Sequence, residues 1–299
     1  MPICPVCDAE FEKGDYMGLA EHFLLFTGRS DFHHVSWLNR NITKNRVREG
    51  DLAQLLYRYY DLHDGSLKNW IITDFIRKFR GDQPHPFIVA MQEYSPEVMR
   101  GYVVEHHHFL KQWIKSCSYV IAKTDFAEVQ FYELDNIMTE LHGIGSEEPS
   151  HHELLIRMGE ALGLSRDYIL SEKPLKATAD AVRTWDELAR TGSWVQAMAA
   201  MHSLELIANR DLSRYGAKYP YFNPGFLLSQ SVPDPVKNFL REGYEADVSH
   251  SYTALDLIDK LRKPEDTEGV QYAYLKSADA FSSYLEARLE RGERLADKQ

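Results

Sequence analysis

The chain has little positive charge for its size. Its 299 residues carry 34 lysines and arginines against 45 aspartates and glutamates, a net charge of −11. Because nucleic-acid binding depends on lysine and arginine contacts with phosphate, this balance argues against a general nucleic-acid-binding role. Apolar runs of about 18 residues, as a membrane helix needs, are also missing, and so is a charged-then-apolar signal pattern. We therefore expect a soluble, cytoplasmic protein with no membrane partner.

The sequence also has few cysteines and no pattern typical of β-strands. Three cysteines are too few for a disulfide framework. No stretch alternates apolar and polar residues as a half-buried strand does, and no repeat or low-complexity segment is present. The chain is instead 44% hydrophobic and 12% aromatic, which is enough for a sizeable core in one large domain or two ordinary ones.

Helical periodicity dominates from about Asp51 onward. Segments such as SLKNWIITDFIRKF and PEVMRGYVVEHHHFLKQWIKSCSYVIAK carry apolar residues at three- and four-residue steps. Pro96 follows Ser95 as a first-turn proline follows an N-cap. The pattern predicts an all-α main domain, residues 46–299, built as a bundle of seven to nine helices. Residues 1–45 form a separate module.

Two cysteines, Cys4 and Cys7, open a predicted zinc finger in that module. Tetrahedral zinc needs four ligands, and a short amphipathic helix with His22, followed by His33 or His34, supplies the other two. We select His34, because HHVSWLN is typical of the start of the next turn and leaves His33 exposed. The 14 residues between Cys7 and His22 fit the usual spacing of about 12–15. The interval between the histidines is longer than usual, so the finger is a variant.

A finger closed by four protein ligands would be structural rather than catalytic. The alternative is that these cysteines and histidines are unconnected.

Carboxylates and histidines also occur on apolar helices of the predicted bundle. Di-iron proteins hold metal with side chains of these types that project into a helical bundle. Glu205 lies among aliphatic residues, where a buried carboxylate needs a cation. Taken singly, each such residue is better explained as a satisfied core histidine or a buried salt bridge, but several together on consecutive helices favour a metal site. The set comprises Glu105, His108, Glu140, His151, His152, Glu205, Asp247 and His250.

The stretch from Gly101 to about Lys260 resembles the heme-oxygenase-like fold, which includes TenA-type thiaminases and pyrroloquinoline-quinone synthase. Its metal-binding branch, the heme-oxygenase-like di-iron oxidases, is the most similar group. Three segments carry the resemblance: DNIMTELHGIGSEEPSHHELLIRMGEALGL, HSLELIANRDLSRYG and FLREGYEADVSHSYTAL. The resemblance implies a non-heme iron-dependent oxidase or oxygenase. Its partners would be O₂, an external reductant and a small organic substrate in an apolar pocket.

The same resemblance implies which residues bind iron. One position departs from the family pattern, because Gly243 stands where the family has a histidine four residues before the aspartate. Glu242 is the nearest substitute, although on a regular helix it lies about 100° away from that face, so a π-bulge would be needed to bring it round. Either two irons bind with this glutamate replacing the histidine, or the second is weakly held, and manganese suits the same ligands. The implied ligands are Glu140, His151, Glu205, Glu242, Asp247 and His250, with His152 pointing elsewhere.

In the related fold, the helix of Glu105 and His108 lines the same cavity. We interpret both as catalytic groups, on the substrate side of the metal or behind its ligands. Cys117 is interpreted as a small buried apolar residue rather than a thiaminase-type nucleophile. Two other functions stay open: a metal-free enzyme of this fold, and a zinc-finger interaction protein with a vestigial pocket. The sequence also leaves a homodimer open.

Overall fold

The architecture is a bundle of α-helices, as the sequence predicts. The computed structural model describes residues 2–142 and 149–297, with the side chains of residues 244–250 left outside the description. Within those ranges the only strand-like pairing is one isolated bridge between Ile3 and Glu10. No helix there is long and apolar enough to cross a membrane. The helices are α1 (Tyr16–Gly28), α2 (Phe32–Asn41), α3 (Glu49–Tyr60), α4 (Leu67–Phe75), α5 (Pro86–Ala90), α6 (Pro96–Lys123), α7 (Ala127–His142), α8 (His151–Ala161), α9 (Arg166–Ser171), α10 (Lys176–Thr191), α11 (Trp194–His202), α12 (Asp234–Leu261) and α13 (Thr267–Ala296).

Eleven of these helices follow residue 46 in the described part of the chain, two more than the upper figure expected from sequence. The two additional helices are α5 and α9, which have only five and six residues and are too short to show helical periodicity in the sequence. The predicted cap of α6 is confirmed. The Ser95 side chain accepts a hydrogen bond from the Val98 N–H, and Pro96 occupies the first turn, where its missing N–H has no intrahelical partner to lose.

The three longest helices, α6, α12 and α13, have 28, 28 and 30 residues and form the frame of the bundle. The helix α13 packs against α6, α10 and α11, and α12 packs against α8 and α11. The core between them is strongly aromatic. For example, the Phe109 ring stacks on Tyr284 at 5.7 Å and meets Trp185 edge-on at 5.1 Å, geometries that aromatic pairs favour.

The N-terminal module is docked on this bundle. Helix α1 packs against α3, and Cys4 is fully buried in the same apolar cluster as the bundle core. On the surface, Lys276 of α13 makes an ion pair with Asp8 at 2.6 Å, and the Tyr272 hydroxyl donates to the same carboxylate at 2.8 Å. The module and the bundle therefore share one core.

Glycines set the spacing between α6 and α13. A Cβ added at Gly101 of α6 would overlap the carbonyl oxygen of Arg288 and come within 2.5 Å of the Gly292 nitrogen. A Cβ added at Gly292 would come within 2.6 Å of the Glu97 carbonyl. The backbones of α6 and α13 are thus in contact at the turn of α13 that carries Arg288.

We predict that Gly101→Ala destabilises the protein by about 1–3 kcal/mol or more, because an overpacked backbone contact must open. Thermal unfolding followed by circular dichroism measures the effect. The control is Gly50→Ala in α3, where an added Cβ meets open space and stability should stay equal or rise by about 0.5–1 kcal/mol. Equal melting temperatures for Gly101→Ala and the unsubstituted protein would contradict the close approach.

Candidate functional site

The four predicted zinc ligands come together at the N-terminus. The ligand atoms of Cys4, Cys7, His22 and His34 all lie within 4.8 Å of one another. The Cys7 Sγ is 3.3 Å from His22 Nε2, the two histidine Nε2 atoms are 3.2 Å apart, and Cys4 Sγ is 3.7 Å from His34 Nε2. Ligands at zinc bond lengths of about 2.0–2.3 Å in a tetrahedron are roughly 3.3–3.8 Å apart. The set therefore fits one zinc ion.

Local contacts orient these ligands. Asp31 is the N-cap of α2, and its carboxylate lies 2.7 Å from His34 Nδ1, which directs the other ring nitrogen to the site, as metal-binding histidines require. Burial and the neighbouring His34 lower the pKa of His22, which favours the neutral imidazole that binds metal. His33 is exposed, as expected, so His34 is the histidine that joins the cluster.

A second site is a cavity of about 90 Å³ inside the bundle. It lies among α6, α7, α8, α12, α13 and the segment that follows α11. Three of the predicted iron ligands, Glu140, His151 and Glu205, line it together with Gly243. The rest of the wall is mainly apolar and includes Phe109, Leu110, Trp113, Leu204, Phe239 and Phe281. The structure thus brings side chains from α7, α8 and the segment after α11 to one cavity.

Electrostatic coupling among these groups is visible at Glu140. Burial raises the pKa of Glu140, the neighbouring His151 opposes the shift, and the charges of Glu242 and Glu205 add to it. The four groups are therefore close enough to act on one another. Like charges at this range are tolerated only if protons or cations compensate them.

Glu242 contacts His151 directly. Its Oε2 atom lies 2.7 Å from His151 Nδ1. The angles at this contact are not those of a hydrogen bond, so Oε2 is buried without a hydrogen-bond partner. Helix α12 is an α-helix over Asp234–Leu261, so Glu242 reaches His151 without the π-bulge considered from the sequence. A π-helix occurs instead at Ile76–Arg80, after α4.

Glu205 owes its position to a change of helix type. Helix α11 ends at His202 and continues as a 3₁₀ helix over Ser203–Ile207, where residues three apart are eclipsed. His202 Nδ1 therefore lies 3.2 Å from Glu205 Oε1. The second oxygen of Glu205, Oε2, is buried without a hydrogen-bond partner, and a buried carboxylate oxygen in this state favours a bound cation.

The backbone that follows Glu205 is held by the buried Arg80. Its guanidinium donates to the carbonyl oxygens of Asn209 at 2.6 Å, Ile207 at 3.2 Å and Tyr219 at 2.7 Å. These carbonyls would otherwise lack partners where the α-helical pattern is interrupted. Arg80 thus stabilises the irregular segment that presents Glu205 to the cavity.

Sequence reasoning missed two fully buried residues behind Glu205. Glu133 of α7 accepts from His202 Nε2 at 2.9 Å, so His202 links Glu133 to Glu205. Burial alone would lower the pKa of His202, but these two carboxylates outweigh it and raise the pKa to about 10. The spacing held a signal, since Glu133 is two helical turns before Glu140 and His202 is three residues before Glu205.

Cys117 belongs to the same group. Its sulfur lies within 4.8 Å of ligand atoms of Glu133 and His202. Burial, with the nearby Glu133 charge, raises the pKa of Cys117 well above its ordinary value, so it is a thiol and a poor nucleophile. Both ring nitrogens of His202 are engaged, Nε2 by Glu133 and Nδ1 by Glu205, so we interpret the group as a support for Glu205 rather than as a metal site.

Glu105 and His108, interpreted from sequence as catalytic, lie away from the cavity. Glu105 is fully buried against Arg291, with 2.7 Å between its Oε1 and the Arg291 Nε, and its Oε2 accepts from the Leu175 N–H. Burial lowers the pKa of His108 to about 4. The face of α6 that lines the cavity is Tyr102, His106, Phe109, Leu110 and Trp113. His108 is about 140° from the centre of that face, at 100° per residue, and His106 is the histidine of this helix that belongs to the site.

Two of the implied ligands, Asp247 and His250, have side chains outside the described residues. Both positions belong to α12, four and seven residues after Gly243. That spacing predicts that they share a helix face with Gly243. His152, expected to point elsewhere, pairs with His107 Nδ1 at 2.7 Å.

The bundle and cavity define a heme-oxygenase-like helical protein. One similar structure is a domain of unknown function with a heme oxygenase-like fold from Shewanella denitrificans OS217, with 16% identity, 84% of this chain and 96% of that chain covered, and a TM-score of 0.54. Another is a TenA homologue from P. horikoshii OT3, with 11% identity, 80% and 98% coverage, and a TM-score of 0.56. A third is a CADD-like protein of unknown function from Nostoc punctiforme PCC 73102, with 16% identity, 76% and 96% coverage, and a TM-score of 0.53.

The chain belongs to the TENA/THI-4/PQQC family, whose model matches residues 70–291. A C2H2-type zinc-finger model matches residues 1–61. That match extends beyond residue 45 to include α3, the helix on which α1 packs. No curated protein matches the sequence. Family membership agrees with the resemblance in the sequence and does not by itself assign a reaction.

We predict that His34→Gln releases about one zinc per chain and loosens the N-terminal module, because a structural site that loses a ligand loses folding free energy. Zinc content by elemental analysis and limited proteolysis within the first ~60 residues, the extent of the module, measure the two effects. The matched control is His33→Gln, which alters the exposed neighbour and should keep its zinc. Unchanged zinc in His34→Gln would contradict the assignment.

Proposed function

We propose that this protein is a metal-dependent oxidoreductase that holds non-heme iron in the bundle cavity and uses O₂ to oxidise a small organic molecule. The observation that carries the proposal is the convergence of Glu140, His151 and Glu205, from three separate elements, on the wall of one cavity. The unpartnered Oε2 of Glu205 supports it, because a carboxylate oxygen buried without a donor calls for a cation.

The donor set favours the kind of metal proposed. Carboxylate and imidazole ligands suit Fe(II) or Mn(II), whereas thiolates favour zinc or copper. These ligand atoms are spread more widely than in the finger, since among the described residues they form no group within 4.8 Å. The three residues are therefore not arranged around one ion as the finger ligands are, and the proposal is for two ions, each bound by part of the set. Bound iron would supply the activation of O₂.

The chain's own residues have separate tasks in this proposal. Glu140, His151 and Glu205 would hold the metal, with Asp247 and His250 of α12 as further ligands. Glu242 contacts Nδ1 of His151 and so favours Nε2 as the ligand atom, as a carboxylate behind a metal-bound histidine does. Glu242 is therefore better explained as a positioning residue than as a replacement for the missing histidine.

Other groups control water and protons. His202 holds a proton between Glu133 and Glu205 and so fixes the orientation of the Glu205 carboxylate. Phe109, Trp113 and Phe239 form an apolar wall that would exclude water and contact the substrate. Reduction of O₂ to two waters consumes four electrons, so a two-electron oxidation of the substrate leaves two electrons for an external reductant.

Gly243 favours one alternative. It lines the cavity at the position where the related oxidases have a histidine, and glycine cannot bind metal through a side chain. A metal-free enzyme that uses the same cavity is the resulting second candidate. Iron binding separates the two candidates.

We predict that Glu205→Gln abolishes tight iron binding and iron-dependent O₂ consumption while helicity by circular dichroism is kept, because the change removes charge without changing volume. Iron content after anaerobic Fe(II) loading and desalting measures the first effect, and an oxygen electrode the second. The control is Glu187→Gln, an exposed glutamate of α10, which should match the unsubstituted protein. Equal iron content in the two variants would contradict the site.

A further inference from the structure

A buried cation lines the same cavity away from its carboxylates. Arg288 of α13 is 2% exposed and is part of the cavity wall. Its guanidinium donates to the hydroxyls of Tyr284 at 2.6 Å and Tyr221 at 3.0 Å, and lies 2.9 Å from His106 Nδ1. Its Nε is buried without a hydrogen-bond partner. Among the residues whose side chains are described, no carboxylate makes an ion pair with it.

The next arginine on the helix shows the contrast. Arg291 makes ion pairs with Glu105 at 2.7 Å and with Glu172 at 2.6 Å, so its charge is compensated inside the protein. Arg288 has only neutral hydrogen-bond partners among the described side chains. Burial raises the pKa of Tyr102 well above its ordinary value, and burial together with the Arg288 charge lowers the pKa of His106 well below its own. An arginine does not give up its proton in a protein, so one positive charge remains.

Aromatic rings offset that charge in part. The guanidinium carbon is 4.0 Å from the centroid of the Tyr102 ring and 4.5 Å from that of Tyr284, distances at which cation–π attraction operates. Neutral rings do not replace a counter-ion for a buried charge. The site is therefore built for a cation but lacks its anion among the described groups.

A second donor is directed to the same place. The Tyr221 hydroxyl accepts from Arg288 and donates to the Tyr102 oxygen at 2.9 Å. The Tyr102 hydrogen is then left with no protein acceptor among the described residues, and Tyr102 lines the cavity. The guanidinium of Arg288 and the phenol of Tyr102 are both hydrogen-bond donors on the wall of one cavity, and together they match the two oxygens of a carboxylate.

The geometry points to Arg288 and Tyr102 as the subsite that binds the carboxylate group of a small, apolar-bodied substrate. This inference rests on the proposed function only in taking the bundle cavity as the place where substrate binds. One uncompensated positive charge matches one negative charge, and a carboxylate carries one. The mainly apolar remainder of the wall matches a hydrocarbon body.

The cavity also suggests how such a substrate would lie. The Phe239 ring contacts Tyr102 at 5.7 Å, His106 at 5.9 Å and His151 at 4.9 Å between centroids. It thus runs from the Arg288 side of the cavity to the His151 side. A carboxylate held at Arg288 would direct the hydrocarbon body along Phe239 toward Glu140 and Glu205.

The size of the cavity selects the probe. About 90 Å³ has room for roughly six water-sized groups, which is the number of non-hydrogen atoms in butyrate. Butyramide has nearly the same shape and no charge. The difference between the two ligands therefore isolates the contribution of the anion.

The test compares butyrate and butyramide binding to the zinc-containing protein without added iron, by isothermal titration calorimetry. We expect butyrate to bind at least tenfold more tightly. Arg288→Gln should remove this preference, and Arg288→Lys should keep part of it, because the charge is retained but the fork geometry is lost. The control is Arg294→Gln, an exposed arginine of the same helix, which should keep the full preference.

Equal binding of the two ligands by the unsubstituted protein would overturn the inference, and so would a full preference in Arg288→Gln. If Arg288→Gln does not fold, the unsubstituted protein and Arg288→Lys decide between the outcomes. The same comparison in Glu205→Gln separates this inference from the proposed function. A preference that survives there but depends on Arg288 supports the carboxylate subsite even if no iron binds. A preference lost in Glu205→Gln and kept in Arg288→Gln would assign the anion to the Glu205 side of the cavity and overturn the inference.

Discussion

Buried charge of both signs in one small cavity is the constraint on which the account depends. Glu140 and Glu205 bring negative charge to one part of the wall, and Arg288 brings positive charge to another. The neutral residues His106 and Phe239 belong to the same wall, and neither glutamate makes an ion pair with Arg288, so the two charges do not neutralise each other by contact. Among the described side chains, neither the carboxylates nor the guanidinium is fully compensated. A cation among the carboxylates and an anion at the guanidinium are the simplest pair, and they correspond to a metal and an acidic substrate.

Several irregular features of the fold keep these charged side chains in place. The change from α-helix to 3₁₀ helix after His202 presents Glu205, and Arg80 satisfies the carbonyls that this change leaves over. Gly101 lets α6 touch the backbone of α13 at Arg288, which brings Tyr102 against the guanidinium. Such local departures from regular packing concentrate at functional sites because ordinary stability gains nothing from them.

Much of this organisation could be predicted from the sequence. Helical periodicity gave the all-α bundle, and residue spacing gave the four finger ligands. The resemblance gave Glu140, His151 and Glu205, which do line one cavity. The differences between the sequence predictions and the structure have physical causes. Glu105 and His108 share a helix face because they are three residues apart. Periodicity does not show which face of α6 meets the cavity, since residues 101–110 are shielded from solvent on every side. The face that lines the cavity is the one with His106. Glu133, His202 and Arg288 depend on contacts between residues 69 to 182 positions apart, which no local pattern encodes.

Iron K-edge X-ray absorption of the protein loaded anaerobically with Fe(II) and desalted tests the central claim most directly. The account predicts retained iron in an environment of oxygen and nitrogen ligands. With both ions present it also predicts a metal–metal distance of about 3.5–4 Å, as in other two-metal sites. A spectrum that shows oxygen and nitrogen ligands but no metal–metal scattering would assign a single iron, consistent with Gly243 in place of a histidine. Complete loss of iron on desalting would contradict the claim that these carboxylates and this histidine form a metal site.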